Sequence, residues 1–219
     1  MISILMPIYN GIEYINDSVE SILDQTYDNW ELIIGVNGHP QKSFVYNIAN
    51  TYNSADYRIK VLDLHNVKGK SNALNEMVKY CKYDYIALLD VDDIWLNNKL
   101  SLQSPYLNRY DVIGTNCVYF GEIEGVIPKI PNGDFSNFDF TIVNPIINSS
   151  SIIRKELCFW KEKYDGVEDY DLWIRLRKDG KKFYNCSDVL VKHRIHNQSA
   201  FNTKDHSSNL AEIKRQLKN

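Results

Sequence analysis

The sequence predicts an α/β fold with a mostly parallel central sheet and helices on both faces. Three observations carry that prediction. Short apolar runs over Ile2–Met6, Trp30–Val36 and Tyr85–Leu89 read as strands buried on both sides. They alternate with helical patterns of roughly ten to fifteen residues, the signature of βαβ units. Each run ends in a polar turn, and the topology brings those turns to one sheet edge, where open α/β sheets bind ligands.

Taken in order, Ile2–Met6 is a strand stopped by Pro7, and Tyr9-Asn10-Gly11 is a turn signal. From Glu13 to Leu23, the residues Ile15, Val19, Ile22 and Leu23 share one helical face. Asp28-Asn29 breaks that helix, and Trp30–Val36 is a second strand closed by the turn Asn37-Gly38-His39-Pro40. A helix through Phe44, Ile48 and Tyr52 leads to a third strand over Tyr57–Leu64. Asn66–Lys70 is a loop, and Ser71–Lys82 a helix with Leu74, Met77, Val78 and Cys81 inward. The fourth strand ends at Asp90.

Leu96–Leu107 is helix-like, with Pro105 near its end, and Asp111–Phe120 is a strand. Gly121–Phe140 is rich in Gly, Pro, Asn and aromatics and reads as a hairpin and a long loop, a form often used to face substrate. Ser149–Arg154 is a short strand. Val167–Trp173 opens a helix that runs on through Arg177, with Gly180 as its C-cap. Lys182–Arg194 contains a strand. In the tail, Leu210, Ile213 and Leu217 share one face, opposite a mixture of Glu212, Lys214, Arg215 and Lys218. Docking on the same domain is the favoured reading of that tail, over a partner helix or a membrane-surface helix.

The chain has 219 residues and a formal net charge of -3. With no basic stripe or run, it does not read as a nucleic-acid binder. Cys81, Cys117, Cys158 and Cys186 form no C-x-x-C pair, which argues against zinc and for reduced thiols in a cytosol-like compartment. The expected location is cytoplasmic, with peripheral association at a membrane surface as the alternative. No secretory leader pattern precedes Ile2, and no apolar run approaches the ~20 residues of a transmembrane span. A homodimer is compatible with the sequence, although nothing indicates one.

The chemistry concentrates after the fourth strand, where Asp90, Asp92 and Asp93 fall within four residues. If the extended geometry continues, Asp90 and Asp92 project to the same side and repel each other. A divalent cation relieves that repulsion, and Mg²⁺ is typically held by one or two carboxylates plus substrate phosphates. Turn and N-cap duty is the plain rival reading. An EF-hand loop does not fit, because Trp95 occupies the position that needs glycine.

Glu168 and Asp169 precede a helix, where capping is ordinary, yet a carboxylate in a cleft can also serve as a general base. Asp171, two residues further on, should point elsewhere. His196 is a candidate metal or phosphate contact beside His193 and Arg194. Tyr9 can stack on a nucleobase or pack in the core. Asn37 can read a base edge or simply turn the chain. Lys68 and Lys70 flank Gly69 before a helix and suit an anion, with plain solvation as the rival.

These residues resemble a known family. Pro7-Ile8-Tyr9-Asn10 and the run Leu23–Ile34 look like the opening of family 2 glycosyltransferases. Ala73-Leu74-Asn75 followed by Leu88–Trp95 is similar to their acidic metal motif, and Glu168–Leu176 resembles their catalytic-base motif. The resemblance implies the GT-A fold: Rossmann-like, with a mostly parallel central sheet flanked by helices and a small second antiparallel element. It implies a single domain over 1–219, with a nucleotide-binding half at 1–95, an acceptor-binding half at 96–203 and an amphipathic helix at 204–219.

By the same resemblance, the reaction is inverting transfer of a sugar from a nucleotide diphosphate sugar to an acceptor hydroxyl. Asp92 would hold Mn²⁺ or Mg²⁺, Asp90 would contact ribose or share the metal, and Asp93 would support both. Asp169 would be the base, with Glu168 beside it. His196 would contact metal or diphosphate, and Pro7 and Tyr9 would line the base pocket. Where the family usually has Asp-Asp-Gly-Ser, this chain has Val36-Asn37-Gly38-His39. Asn37 can still pair with uracil, so a UDP-sugar is the expected donor. The acceptor would be a glycan, a lipid-linked glycan or a protein.

Two other functions are weighed. A sugar-nucleotide nucleotidyltransferase would need a Gly-rich, basic triphosphate loop after the first strand, and Pro7–Glu13 holds one glycine and no basic residue. A catalytically silent nucleotide-sugar-binding protein is disfavoured by the intact acidic motifs.

Overall fold

The computed structural model describes residues 1–197 and 205–217. Nine strands form one sheet: β1 (Ile2–Ile8), β2 (Trp30–Asn37), β3 (Ile59–Leu64), β4 (Tyr85–Leu88), β5 (Ile94–Trp95), β6 (Val112–Gly121), β7 (Gly133–Asp134), β8 (Ile152–Arg154) and β9 (Phe183–Ile195). The helices are α1 (Ile15–Leu23), α2 (Phe44–Asn50), α3 (Tyr52–Ala55), α4 (Lys70–Val78), α5 (Lys99–Gln103), α6 (Glu168–Lys178) and α7 (Ser207–Arg215).

The spatial order is β3-β2-β1-β4-β8-β6-β9-β5, with β7 also pairing β9. The first four neighbours are parallel. β8 runs antiparallel between β4 and β6, so β4, β6 and the parallel β9 all point the same way. The antiparallel pairings therefore lie within the same sheet. Strands from both ends of the chain deliver their carboxyl ends to one edge.

Both sheet faces are covered. Alternate residues Ile2, Ile4, Met6 and Ile8 of β1 pack with Ile15, Val19 and Ile22 of α1. The intervening Leu5 packs on the opposite face with Ala73, Leu74 and Met77 of α4 and with α6. This period-2 division is why the strands read as unbroken apolar runs.

Several boundaries differ from the expected ones. The fourth strand stops at Leu88, and Asp93 N donates to Asp90 O at 3.1 Å, so the chain turns where extended geometry was expected. The shared projection of Asp90 and Asp92 as strand neighbours is thereby corrected. The helix expected over Leu96–Leu107 is reduced to α5 and a short 3₁₀ turn at Ser104–Tyr106, because its first residues bond elsewhere: Leu96 N donates to Leu190 O, and Asn97 O accepts from Thr26 N. His193–Ile195 close β9 and do not follow it.

The tail helix α7 packs on its own domain through fully buried Ile213, with Leu210 and Leu217 against the same cluster. Lys218 and the start of the 204–219 segment lie outside the described residues. All four cysteines are free thiols. Among the described residues, no helix is long and apolar enough to cross a membrane.

Candidate active site

The carboxyl edge of the sheet gathers most of the residues singled out by sequence. Tyr9 is 58% exposed, so its ring lies outside the core. It rests against His39, with ring centroids 5.4 Å apart. Gly38, at φ +74°, lets the turn pass beneath it: a Cβ there would lie 3.0 Å from the Tyr9 ring. Asn37 ends β2 in a buried position and makes no side-chain hydrogen bond among the described residues. Pro7 is half-buried in β1, whereas Asn10 and Lys68 are exposed.

In the acidic turn each carboxylate has its own partner. Asp90 accepts from Lys70 Nζ at 2.6 Å and from Asn148 Nδ2 at 3.0 Å, and its backbone N–H donates to Ser149 Oγ. Asp92 meets His196 Nε2 at 2.8 Å. Asp93 is fully buried; it binds His193 Nδ1 at 2.9 Å and accepts from the Arg194 backbone N–H at 2.8 Å. Arg194 Nε donates to Asp92 O, and its guanidinium lies 4.3 Å from both the Tyr14 and Phe120 rings. The end of β9 thus clamps the turn.

Electrostatics separate these groups. Burial raises the Asp92 carboxyl, and Asp93 and Asp90 raise it further. Burial also opposes ionisation of Asp90, but the Lys70 ammonium and the Asn148 amide outweigh it and hold the carboxyl below its ordinary value. His193 would be lowered by burial, yet Asp93 pushes it up to about 9. Lys70 likewise resists burial and stays above its ordinary value because Asp90 and Glu168 flank it.

Glu168 and Asp169 form the first turn of α6. Glu168 is buried and accepts from the Gly166 N–H at 2.6 Å. Asp169 accepts from Asn144 Nδ2 at 2.9 Å. Burial and then Glu168 push its carboxyl up to about 6, against the opposing pull of Asn144 and Lys70. Asp171 is turned into Arg175 at 2.7 Å, away from this group, as expected.

The loop leading into α6 is pinned to the start of α4. Asp165 Oδ1 accepts from Ser71 N at 2.9 Å, Ser71 Oγ donates to Lys161 O, and Asn75 exchanges two hydrogen bonds with the Trp160 backbone. Gly69, at φ +84°, is required here, because a Cβ would fall 2.2 Å from Asp165 Oδ2. Lys70 completes the junction. Its ammonium touches Asp90 at 2.6 Å and Glu168 at 3.4 Å, so it is an internal cation between two carboxylates.

Asp92 offers a carboxylate oxygen that suits Mn²⁺ or Mg²⁺ when substrate phosphates complete the shell, and the His196 imidazole beside it fits Mn²⁺ better than Mg²⁺. The crowding of Asp92 by Asp93 and Asp90 fits a cation at this place. Among the described residues, no three acidic, His or Cys side chains form a ready-made metal cluster. Sequence reasoning missed Asn144, Asn148 and Ser149, which hold the two acidic groups, and the bridging role of Lys70. The only hint was the pair of amides at 144 and 148 in a stretch without periodicity.

Comparison with known proteins gives the family and the fold. The family model "Glycosyl transferase family 2" matches residues 3–159. The O-antigen biosynthesis glycosyltransferase WbnJ of Escherichia coli is 33% identical over 208 residues, covering 91% of this chain and 81% of the relative. The Escherichia coli UDP-Glc:alpha-D-GlcNAc-diphosphoundecaprenol beta-1,3-glucosyltransferase WfgD is 29% identical, covering 99% of this chain and 83% of its own. Among solved structures, S. aureus TarS in complex with UDP-GlcNAc superposes with a TM-score of 0.76 at 16% identity, covering 99% of this chain and 65% of TarS. That likeness shows the GT-A-type fold.

Proposed function

The chain belongs to glycosyltransferase family 2, and from that premise we propose that it transfers a sugar from a UDP-sugar to an acceptor hydroxyl with inversion at the anomeric carbon. Its class, a glycosyltransferase, follows from the family. The donor, the stereochemistry and the residue roles are our reading. The observation that supports it is the Lys70 bridge. One ammonium contacts both Asp90 in the acidic turn and Glu168 beside Asp169, so the two acidic groups lie side by side.

In this reading Tyr9 stacks on the base, Asn37 pairs with its edge, and Pro7 and Asn10 line the same end. Asp90 accepts from a ribose hydroxyl, and Lys68 faces the approach of the diphosphate. Asp92 and His196 would hold a Mn²⁺ or Mg²⁺ ion, which when bound supplies positive charge against the leaving diphosphate. Asp169 takes the proton from the acceptor hydroxyl as its oxygen bonds to the anomeric carbon. The bond from that carbon to the diphosphate oxygen breaks, and UDP departs with the electron pair. One displacement from the face opposite the leaving group inverts the centre.

The named acceptor of WfgD, a diphosphoundecaprenol-linked sugar, supports a lipid-linked glycan as the acceptor class. The relatives compared are glycosyltransferases, so the nucleotidyltransferase alternative is dropped.

Calorimetric titration of UDP-sugars with and without Mn²⁺ tests the roles. Asp92→Asn should weaken cation-dependent donor binding and abolish turnover. Asp169→Asn should stop turnover while leaving donor affinity unchanged. Turnover retained in either variant overturns that residue's assignment.

A further inference from the structure

The segment between Asn144 and Ser149 reaches both acidic groups. Asn144 Nδ2 donates to Asp169 Oδ2 at 2.9 Å, and Asn148 Nδ2 donates to Asp90 Oδ2 at 3.0 Å. The segment is itself anchored. Pro145 and Ile146 are buried, and fully buried Asn185 donates to Pro145 O at 2.9 Å. The Asn144 amide has one sensible orientation, because its Oδ1 accepts from Ile146 N at 3.4 Å. Its NH₂ group is thereby left facing Asp169.

We propose that Asn144 is a positioning residue for Asp169, fixing which carboxylate oxygen is turned to the acceptor and favouring the ionised form. This rests on the reading of Asp169 as the base. A hydrogen bond from a neutral donor stabilises a carboxylate over the acid and spends one of its oxygens. With Oδ2 engaged by Asn144, Oδ1 is the oxygen available to the incoming hydroxyl. The other groups acting on Asp169 are Glu168 on its own helix, which disfavours its charge, and Lys70 on α4 and the Tyr170 backbone N–H, which favour it; the Tyr170 phenol is turned to Phe140 O. Asn144 is thus the neutral side-chain donor to Asp169, beside the backbone N–H of Tyr170.

The test compares Asn144→Ala and Asn144→Ser with wild type and Asp169→Asn. Serine can still accept from the Ile146 N–H, so the turn is kept, but it is too short to reach Asp169. Both Asn144 variants should lose about 10–100-fold in kcat, by analogy with the loss on removing a partner that orients a metal ligand. The acid limb of the pH–rate profile should move to higher pH, and UDP affinity should stay within about twofold. Carbon-detected NMR of the Asp169 carboxyl should show the same upward movement in the absence of substrate. An unmoved titration and unchanged kcat in Asn144→Ser, with Asp169→Asn inactive, overturns this inference alone. An active Asp169→Asn overturns the base assignment instead. A melting point lowered equally in both Asn144 variants, with the Asp169 titration unmoved, would reduce Asn144 to a structural residue and also overturn it.

Discussion

Asp169 is a carboxylate kept short of water, and two consequences follow. A base must be ionised to accept a proton. With the carboxyl pushed up to about 6, turnover should fall about tenfold per pH unit below that value and level off above it. A kcat/KM profile checks this, and an acid limb near the ordinary value of 3.8 would refute it. The second consequence concerns stability. The folded state binds the proton more tightly than the unfolded chain, so stability declines as pH rises from 3.8 to about 6, and the full cost is present above that window. Asp169→Asn removes a charge that burial and Glu168 oppose. Near neutral pH it should raise stability by about 1–3 kcal/mol, a melting-point gain of a few degrees by calorimetry. At this scale the sequence singled out Asp92, Asp169 and His196 by residue type, and the structure brings Asp92 and His196 into contact and sets Asp169 in the first turn of α6. Asn144 and Asn148 announce nothing. Their partners lie 25 and 58 residues away, and an amide becomes informative only when the fold supplies the carboxylate.

At the scale of elements, the start of α4 joins the two halves of the site. A lysine in the first helical turn opposes the helix dipole, so Lys70 is placed against local preference. Asp90 and Glu168 offset that cost. Lys70→Met would leave both carboxylates partly buried without their cation and should destabilise by about 2–3 kcal/mol. In a double-mutant cycle with Asp90→Asn the losses should be less than additive, by about 1 kcal/mol or more. Additive losses in urea titrations would show that the pair does not interact. The sequence marked this loop through Gly69 and its flanking lysines, yet it suggested an anion contact for Lys70, because the partner carboxylates come from two distant strand and helix ends. The same limit explains the shortened α5. Helical spacing over Leu96–Leu107 was locally sound, but the backbone of Leu96 and Asn97 bonds to Leu190 and Thr26, partners that no local pattern reveals.

At the scale of the whole molecule, the sheet carries the candidate site on one edge and α7 braces the helix that begins with Glu168 and Asp169. Glu212 of α7 meets Lys163 at 2.5 Å and Tyr164 at 3.0 Å, just before α6, and Gln216 donates to Asp171 within it. Exposed ion pairs such as Lys163–Glu212 contribute little. The stabilisation therefore comes from Ile213, which is fully buried among the residues that cover the α6 face of the sheet. Ile213→Ala should cost about 2–4 kcal/mol, lowering the melting point by several degrees. Because Ile213 touches no reacting group, kcat well below the new midpoint should remain within about twofold of wild type, and UDP affinity should not change. A membrane-surface role for α7 makes the opposite prediction: the melting point would hold, and sedimentation with anionic lipid vesicles would fall. The amphipathic pattern of the tail favoured docking on its own domain without deciding between the two roles. The burial of Ile213 separates them, since a side chain already removed from water has no apolar surface left to give to a bilayer.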